Sequence, residues 1–267
     1  MSEAPWQLQI LEKSIKKKEK LKLITNDLNV RPNYICLDLG CAQGILSYFL
    51  RQKGGYWVST DEDFLNLKSS QSLIGENLVQ VKEGILPFKD EAFDLVVCLD
   101  YLEHLENDDL CLQEIQRVLK KGRELLLATP LTGRFFIIQK LRPALGMKLE
   151  YYGHKREGYS LKELGDKLRI ARFEFLKHKT FSRFFSEFLE LFLNFFYIKI
   201  LRSKPESRLR DGHIRPATVG EFDSQKRAFQ LYSFVYPVVW LFSRLDALLF
   251  FQRGYSLMVW ARKSTGL

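Results

Sequence analysis

The sequence predicts an α/β chain: a seven-stranded, mostly parallel sheet with helices on both faces, plus a helical insertion before the last strand. Three observations predict it. Short apolar runs alternate with amphipathic stretches from residue 34 onward, the pattern of strands crossing to helices. One of these junctions, "YICLDLGCAQGILSYFL", is a strand, a two-glycine loop and a helix start. After about residue 180 the composition changes: residues 181–251 hold 17 of the chain's 36 Phe, Trp and Tyr residues.

Residues 6–28 read as one helix, with Leu8, Leu11, Ile15, Leu21, Ile24 and Leu28 roughly on one side and lysines on the other. Asn29–Asn33, which includes Pro32, ends it. Strands are expected at 34–39, 56–60, 78–82, 93–99, 123–129, 171–178 and 255–262, and helices at 43–53, 62–72, 107–120 and 160–168. The expected organisation is a core over 1–180, an aromatic helical insertion over 181–251 and a final core strand within 252–267. No internal repeat or low-complexity tract interrupts it.

At 46% hydrophobic residues the 267-residue chain can bury a core. Its net charge of +9 favours anionic partners, or is simply a solvated basic surface. Cys36, Cys41, Cys98 and Cys111 form no Cys-x-x-Cys pair, which argues against zinc and suits a reducing compartment. The first twenty residues lack a basic start followed by an apolar stretch, so no secretory signal is expected and a cytoplasmic location is.

In the loop after the first strand, Gly40 and Gly44 allow a sharp turn and close ligand approach, and the helix beyond offers free N–H groups. A dinucleotide fingerprint has three glycines in Gly-x-Gly-x-x-Gly; here the spacing is Gly-x-x-x-Gly, which argues against NAD. Asp61 ends the next strand, 21 residues after Gly40, where a carboxylate can take two hydrogen bonds from ribose hydroxyls.

With "LDLGCAQG", the Asp61 strand end, "EGILPF", "AFDLVVCLDYLEHL" and "LQEIQRVLKKGRELLLATP" in this order, the chain resembles the class I S-adenosylmethionine-dependent methyltransferases. It looks most like their small-molecule and lipid-precursor O-methyltransferase branch, over about 34–178 plus the final strand. The resemblance implies a Rossmann-like fold and S-adenosylmethionine as methyl donor. It implies Asp38, Gly40, Cys41 and Gly44 around the methionine half, Asp61 at the ribose, and Glu83, Gly84 and Ile85 at the adenine. Asp100 would sit beside the methionine or at the acceptor mouth, and Asp38 would alternatively brace only the loop N–H groups.

Methyl transfer is an in-line displacement on an already activated sulfonium carbon, so the protein mainly aligns the nucleophile and excludes water. A base is needed only for a nucleophile whose proton has a high pKa. His104, Glu103 and His154 are the candidates. Glu103 and His104 alternatively brace the loop. Asp100, Glu103 and His104 also resemble a Glu-x-x-Glu-His pattern that holds a divalent metal in some relatives, but the shorter Asp100 puts it in doubt and no metal is expected. Tyr151 and Tyr152 are candidates for an acceptor pocket. The Asn/Asp-Pro-Pro-Tyr/Phe segment of nucleic-acid amino methyltransferases is replaced by Asp100-Tyr101-Leu102-Glu103, which argues against nucleic acid.

For the insertion, the longest uncharged run, Ala228–Ser243, has 16 residues and contains Pro237, short of the ~20 that span a bilayer. Two readings stay open: a cap whose aromatics are buried, or an interfacial element with Lys199, Arg202, Lys204, Arg208, Arg210 and Arg215 toward an anionic leaflet. In either, an apolar aromatic lid implies a hydrophobic small-molecule or lipid-linked acceptor. The alternative to an enzyme is a non-catalytic module that binds a partner or membrane through this insertion.

Overall fold

The computed structural model describes residues 4–133, 136–201 and 218–266, with the backbone alone over 197–201. Seven strands form one sheet: β1 Ile35–Leu39, β2 Tyr56–Asp61, β3 Leu78–Gln80, β4 Phe93–Leu99, β5 Leu119–Pro130, β6 Phe173–Phe181 and β7 Ser256–Lys263. Their order is β3-β2-β1-β4-β5-β7-β6. The first five run parallel, and β7 lies antiparallel between β5 and β6. This is the expected mostly parallel α/β sheet.

Burial on both faces explains why the central strands carry apolar runs such as Leu95–Leu99 and Leu125–Ala128 instead of alternating. Every residue of β4 is buried. One core packs α5 (Asp108–Val118) and α7 (Leu161–Ile170) on one face, through Ile115, Val118, Leu164 and Leu168. The other covers the opposite face with α2 (Ile15–Asp27) and α3 (Ile45–Arg51), through Ile24 and Leu50. All four cysteines are free and buried; Cys36 and Cys98 pack as small hydrophobes, and burial pushes the Cys36 thiol up to about 12.

The N-terminal helix differs from expectation. It is two helices, α1 (Trp6–Glu12) and α2, because Ser14 leaves the helical conformation and caps α2, its hydroxyl accepting from the Lys17 N–H at 3.4 Å. The strand after α5 is longer than 123–129 and kinks at Gly122, whose φ is +69°. Remaining helices of the core are α4 (Phe64–Ile74) and α6 (Ile137–Ala144), the latter unforeseen by the pattern.

Between β6 and β7 lie α8 (Phe184–Leu201), α9 (Val219–Ser224), α10 (Lys226–Ser243) and a 3-10 segment, Arg244–Leu249. The buried carboxylate of Asp246 closes this unit: it accepts from the N–H groups of Arg183, Phe185 and Ser186 at 3.1, 2.7 and 3.2 Å, capping α8. The Phe185 and Phe242 rings meet edge to face at 5.2 Å. The N-terminal helices are tied to the same unit. Trp6 packs on Phe222 at 5.5 Å, the Tyr232 hydroxyl donates to the Lys13 carbonyl at 2.9 Å, and the Ser182 N–H donates to Glu19 at 3.0 Å.

Candidate functional site

The strand order reverses between β1 and β4, and in such sheets ligands bind outside the carboxyl ends at that switch point. A cavity of about 1010 Å³ opens there. Its wall includes Asp38, Gly40, Cys41, Asp61 and Asp100, and on the other side Glu103, His104 and His154. The expected donor and catalytic residues are thus brought together, with the exceptions described below.

The glycine loop has the backbone its sequence predicts. Gly40 and Gly44 have φ of +79° and +78°, a region L side chains avoid, and Gly44 sits at the N-cap of α3, packed against Ser70 and outside the cavity wall where it was expected to line a ligand. A Cβ at Gly40 would come within 2.7 Å of the Tyr101 ring. The two aspartates divide the work differently from expectation. Asp38 accepts from the hydroxyls of Ser47 and Ser59, the second at 3.1 Å, and from no loop N–H. Burial raises its carboxyl to about 6 against those two bonds. Asp61 braces the loop instead: it accepts from the N–H of Ala42 at 2.8 Å, the N–H of Asp63 at 2.9 Å and the Asn66 amide at 3.0 Å. Burial still leaves its carboxyl raised.

A carboxylate offers about four acceptor sites. Three of those on Asp61 are engaged, so it has room for one ribose hydroxyl instead of the expected two. The neighbouring Glu62 also lines the cavity, and its Oε1 accepts from the Tyr101 hydroxyl at 2.7 Å and the Gly84 N–H at 3.3 Å. Sequence reasoning missed Glu62, although its place one residue after Asp61 was the signal. Glu83, Gly84 and Ile85 are not part of the cavity wall. The Glu83 side chain and Ile85 are exposed, and Gly84 packs close to Cys111. Only through the Gly84–Glu62 bond does this segment reach the site.

Glu103 is fully buried on the short 3-10 turn Leu102–His104. Its Oε2 accepts from Thr129 at 3.3 Å, while its Oε1 has no hydrogen-bond partner. Burial, then the nearby Asp100 charge, raises the carboxyl to about 8, so it is mainly protonated at neutral pH. His154 is pulled down to about 3 by burial and by His104, and is neutral. The His104 and His154 rings meet edge to face at 4.7 Å. His104 Nδ1 lies 3.0 Å from the Gly153 carbonyl. A carbonyl only accepts, so Nδ1 carries the proton and Nε2 is the basic atom. Glu103, His104 and His154 each bring one donor atom within 4.8 Å of the other two.

The outer half of the cavity is charged. Lys20, buried on α2, pairs with Asp100. Glu187 of α8, also buried, pairs with Arg142 of α6 and with Lys16 at 3.5 Å. Burial pulls the Lys16 ammonium down, but Glu187 and then Glu190 outweigh it and the net shift is up. Arg142 also stacks over Tyr152 at 5.6 Å. Tyr152 lines the cavity; Tyr151 does not. The expected apolar lid is therefore corrected. Glu187, Glu190 and Asn194, at helical spacing i, i+3 and i+7, turn a polar stripe of α8 inward. Phe188, Phe192 and Phe196 lie on its outside, exposed. Among the basic residues expected beside the insertion, Arg202, Lys204, Arg208, Arg210 and Arg215 lie outside the described residues, as does the side chain of Lys199.

Residues 37–127 match the family model described as a methyltransferase domain. A ubiquinone biosynthesis O-methyltransferase of Rickettsia bellii is 26% identical over 125 residues, which is 45% of this chain and 51% of that protein. The chain spans about half the length of the first curated relatives it matches. Among solved structures, a SAM-dependent methyltransferase of Methanosarcina mazei superposes with a TM-score of 0.53 at 15% identity, covering 91% of this chain and 98% of that one. The [4+2]-cyclase SpnF superposes with a TM-score of 0.58 at 18% identity, covering 94% of this chain and 82% of that one. These likenesses extend the fold over nearly the whole chain, and a methyltransferase and a cyclase on one fold show that it carries different chemistries.

Proposed function

We propose, on the premise that residues 37–127 are a methyltransferase domain of the class I fold, that this chain is an S-adenosylmethionine-dependent methyltransferase. Its acceptor is an oxygen of a small molecule whose polar head the charged outer half of the cavity receives, an apolar or lipid-linked remainder staying outside it. The observation that carries the reading is the acid-rich pocket at the ends of β1, β2 and β4, opened by a left-handed glycine loop. Asp38, Asp61, Glu62 and Asp100 suit a donor that bears a sulfonium and an ammonium. The close approach of the loop at Gly40 leaves no room for a side chain there.

Bound in that pocket, the donor supplies an activated methyl group. The chain's own residues do the rest. Asp61 and Glu62 hold the ribose hydroxyls, and Asp38 and Asp100 face the charged end. His104 Nε2 takes the acceptor's proton, its tautomer fixed by the Gly153 carbonyl. Protonated Glu103 and neutral His154 keep the wall beside it uncharged and orient the acceptor's polar head. The charged stripe of α2, α6 and α8 receives that head. Residues 181–251 act as the acceptor-selecting unit on a core formed by 1–180 and 252–267.

A second reading of the same cluster is a divalent-cation site, favoured by the unpartnered Glu103 Oε1 and by His104 donating its other nitrogen to a carbonyl. Manganese titration followed by electron paramagnetic resonance tests it: tight uptake lost in His154→Ala supports it, and free-ion signal throughout rejects it.

Titration calorimetry with S-adenosylhomocysteine tests the main reading. Wild-type binding that is lost in Asp61→Ala is expected; no heat from the wild type would overturn it. Release of S-adenosylhomocysteine from the donor in the presence of a total lipid extract separates an enzyme from a fold that only binds.

A further inference from the structure

α6, α8 and α10 carry a second surface, on the side away from the cavity. On α8 the wall residues Glu187, Glu190 and Asn194 face inward, and Phe188, Phe192 and Phe196 repeat at i, i+4 and i+8 on the exposed side. α6, packed against α8, does the same: Arg142 and Gln139 line the cavity while Ile137 and Leu141 are exposed. α10 adds Leu231, Phe234, Val238 and Leu241, and the turn after it adds Phe250 and Phe251. Phe234 and Phe250 are 84% and 79% exposed. Residues 228–243 contain no charge. Apolar surface on this scale marks an interaction face.

The charges around it select the partner. Lys226 and Arg227 begin α10, and Arg244 and Arg253 bracket the segment after it, all exposed. The Arg244 guanidinium stacks on Trp240 at 5.1 Å. Apolar tips with basic residues and an amphipathic Trp at their margin match an anionic lipid interface, where rings enter the acyl boundary and cations meet headgroups. No helix among the described residues is long and apolar enough to cross a membrane.

We infer that this face docks on an anionic bilayer, with Phe234, Phe250 and Phe251 inserted into the interface. The same helices that wall the acceptor half of the cavity then touch the lipid. An acceptor with an apolar tail keeps the tail in the bilayer while its polar head enters the cavity that α6 and α8 wall. This deepens the methyl-transfer reading and rests on it only for what enters the cavity; docking itself is independent of it.

The test is flotation of the full chain with vesicles of phosphatidylcholine containing phosphatidylglycerol, against phosphatidylcholine alone. A Phe234→Glu/Phe250→Glu variant changes side chains that already face solvent, so the fold is kept. Expected is co-flotation with the anionic vesicles at low salt, at least fivefold weaker for the neutral vesicles and for the variant. S-adenosylhomocysteine affinity of the variant stays within twofold of wild type, so loss of docking and failure of the donor site are read separately. Absence of wild-type flotation overturns the inference, as does flotation that the variant retains. A wild-type dimer in sedimentation that the variant converts to monomer, without flotation, assigns the face to a second copy instead.

Discussion

The glycine loop and helix α8 line the same cavity, yet one announces itself in sequence and the other misleads. In the loop each residue answers a local backbone demand. Gly40 and Gly44 stand where φ is positive, and Asp38 and Asp61 stand at strand ends. In α8 the meaning of a residue depends on which way it faces. Its composition is aromatic, and its cavity face is polar. A helix normally turns its apolar stripe to the core. α8 turns Glu187 and Glu190 inward and Phe188, Phe192 and Phe196 out, an inverted stripe beside the side where Phe184, Leu191 and Phe195 pack in a small core, because the stripe's inner neighbour is a water-accessible cavity. Inverted amphipathicity is thus a sign of a site wall.

The sharpest way to break this contrast is at Glu187. It is buried, and it holds Lys16 and Arg142 together across α2, α6 and α8. Removing one partner of a buried ion pair costs about 3–5 kcal/mol, because the remaining charges lose their counter-ion. Glu187→Gln is expected to lower the melting temperature by roughly 6–20 °C, at ~2–4 °C per kcal/mol for a chain this size. A variant that melts with the wild type shows that the polar stripe is solvated and the inversion carries no structural weight.

The loop is broken most directly at Gly40. Alanine there needs a φ of +79° and puts a Cβ 2.7 Å from the Tyr101 ring. Gly40→Ala is expected to weaken S-adenosylhomocysteine binding by about 100-fold, or ~2.7 kcal/mol, with far-ultraviolet circular dichroism unchanged. Binding within threefold of wild type would move the donor away from this loop.

How much of this was legible follows the same division. The sheet was readable because β1, β4 and the second half of β5 are buried and carry short apolar runs, Leu95–Leu99 and Leu125–Ala128 among them. The donor loop was readable because glycine spacing and strand-end acids are local features. The break at Ser14 was not, since a good cap inside a helical pattern leaves the periodicity almost intact. Lys20 and Arg142 were missed because only the tertiary fold brings α2 and α6 to Asp100 and Glu187. Glu62 was overshadowed by Asp61, and the Glu187–Glu190–Asn194 stripe lies inside an aromatic block whose composition does not show which way the helix faces. The placement of Glu83, Gly84 and Ile85 at a ligand came from resemblance alone, and the cavity wall does not include them.

Glu103 gives a smaller effect that sharpens the same boundary, since it lies between the loop and the cap. Its folded carboxyl, at about 8, stands above the ordinary 4.5. The folded chain therefore holds a proton that the unfolded chain releases between these values. Stability is fully present below about 4.5 and is lost as pH rises through about 8. Melting temperatures of the wild type should fall by several degrees from pH 6 to pH 9, and those of Glu103→Gln should fall less, because the amide stays neutral. Parallel curves for the two proteins would mean that a cation or solvent reaches Glu103 and keeps it ionised.

The smallest expected effect tests the electrostatics of the donor pocket itself. Asp38 is raised to about 6 by burial, although Ser47 and Ser59 both donate to it. Above that value it is an anion facing the cavity, and below it is neutral. A cationic ligand group gains from the anion only, so affinity should decline as pH falls through 6. One unit below the folded value about a tenth of the carboxyl is ionised, which sets a limit of about 10-fold on the loss at pH 5. Calorimetry with S-adenosylhomocysteine at pH 5.0 and 7.5 measures it. Asp38→Asn removes the titration and should bind weakly and equally at both pH values. If the variant keeps the wild-type pH dependence, Asp38 is not the titrating group and serves only to hold Ser47 and Ser59 beneath the loop.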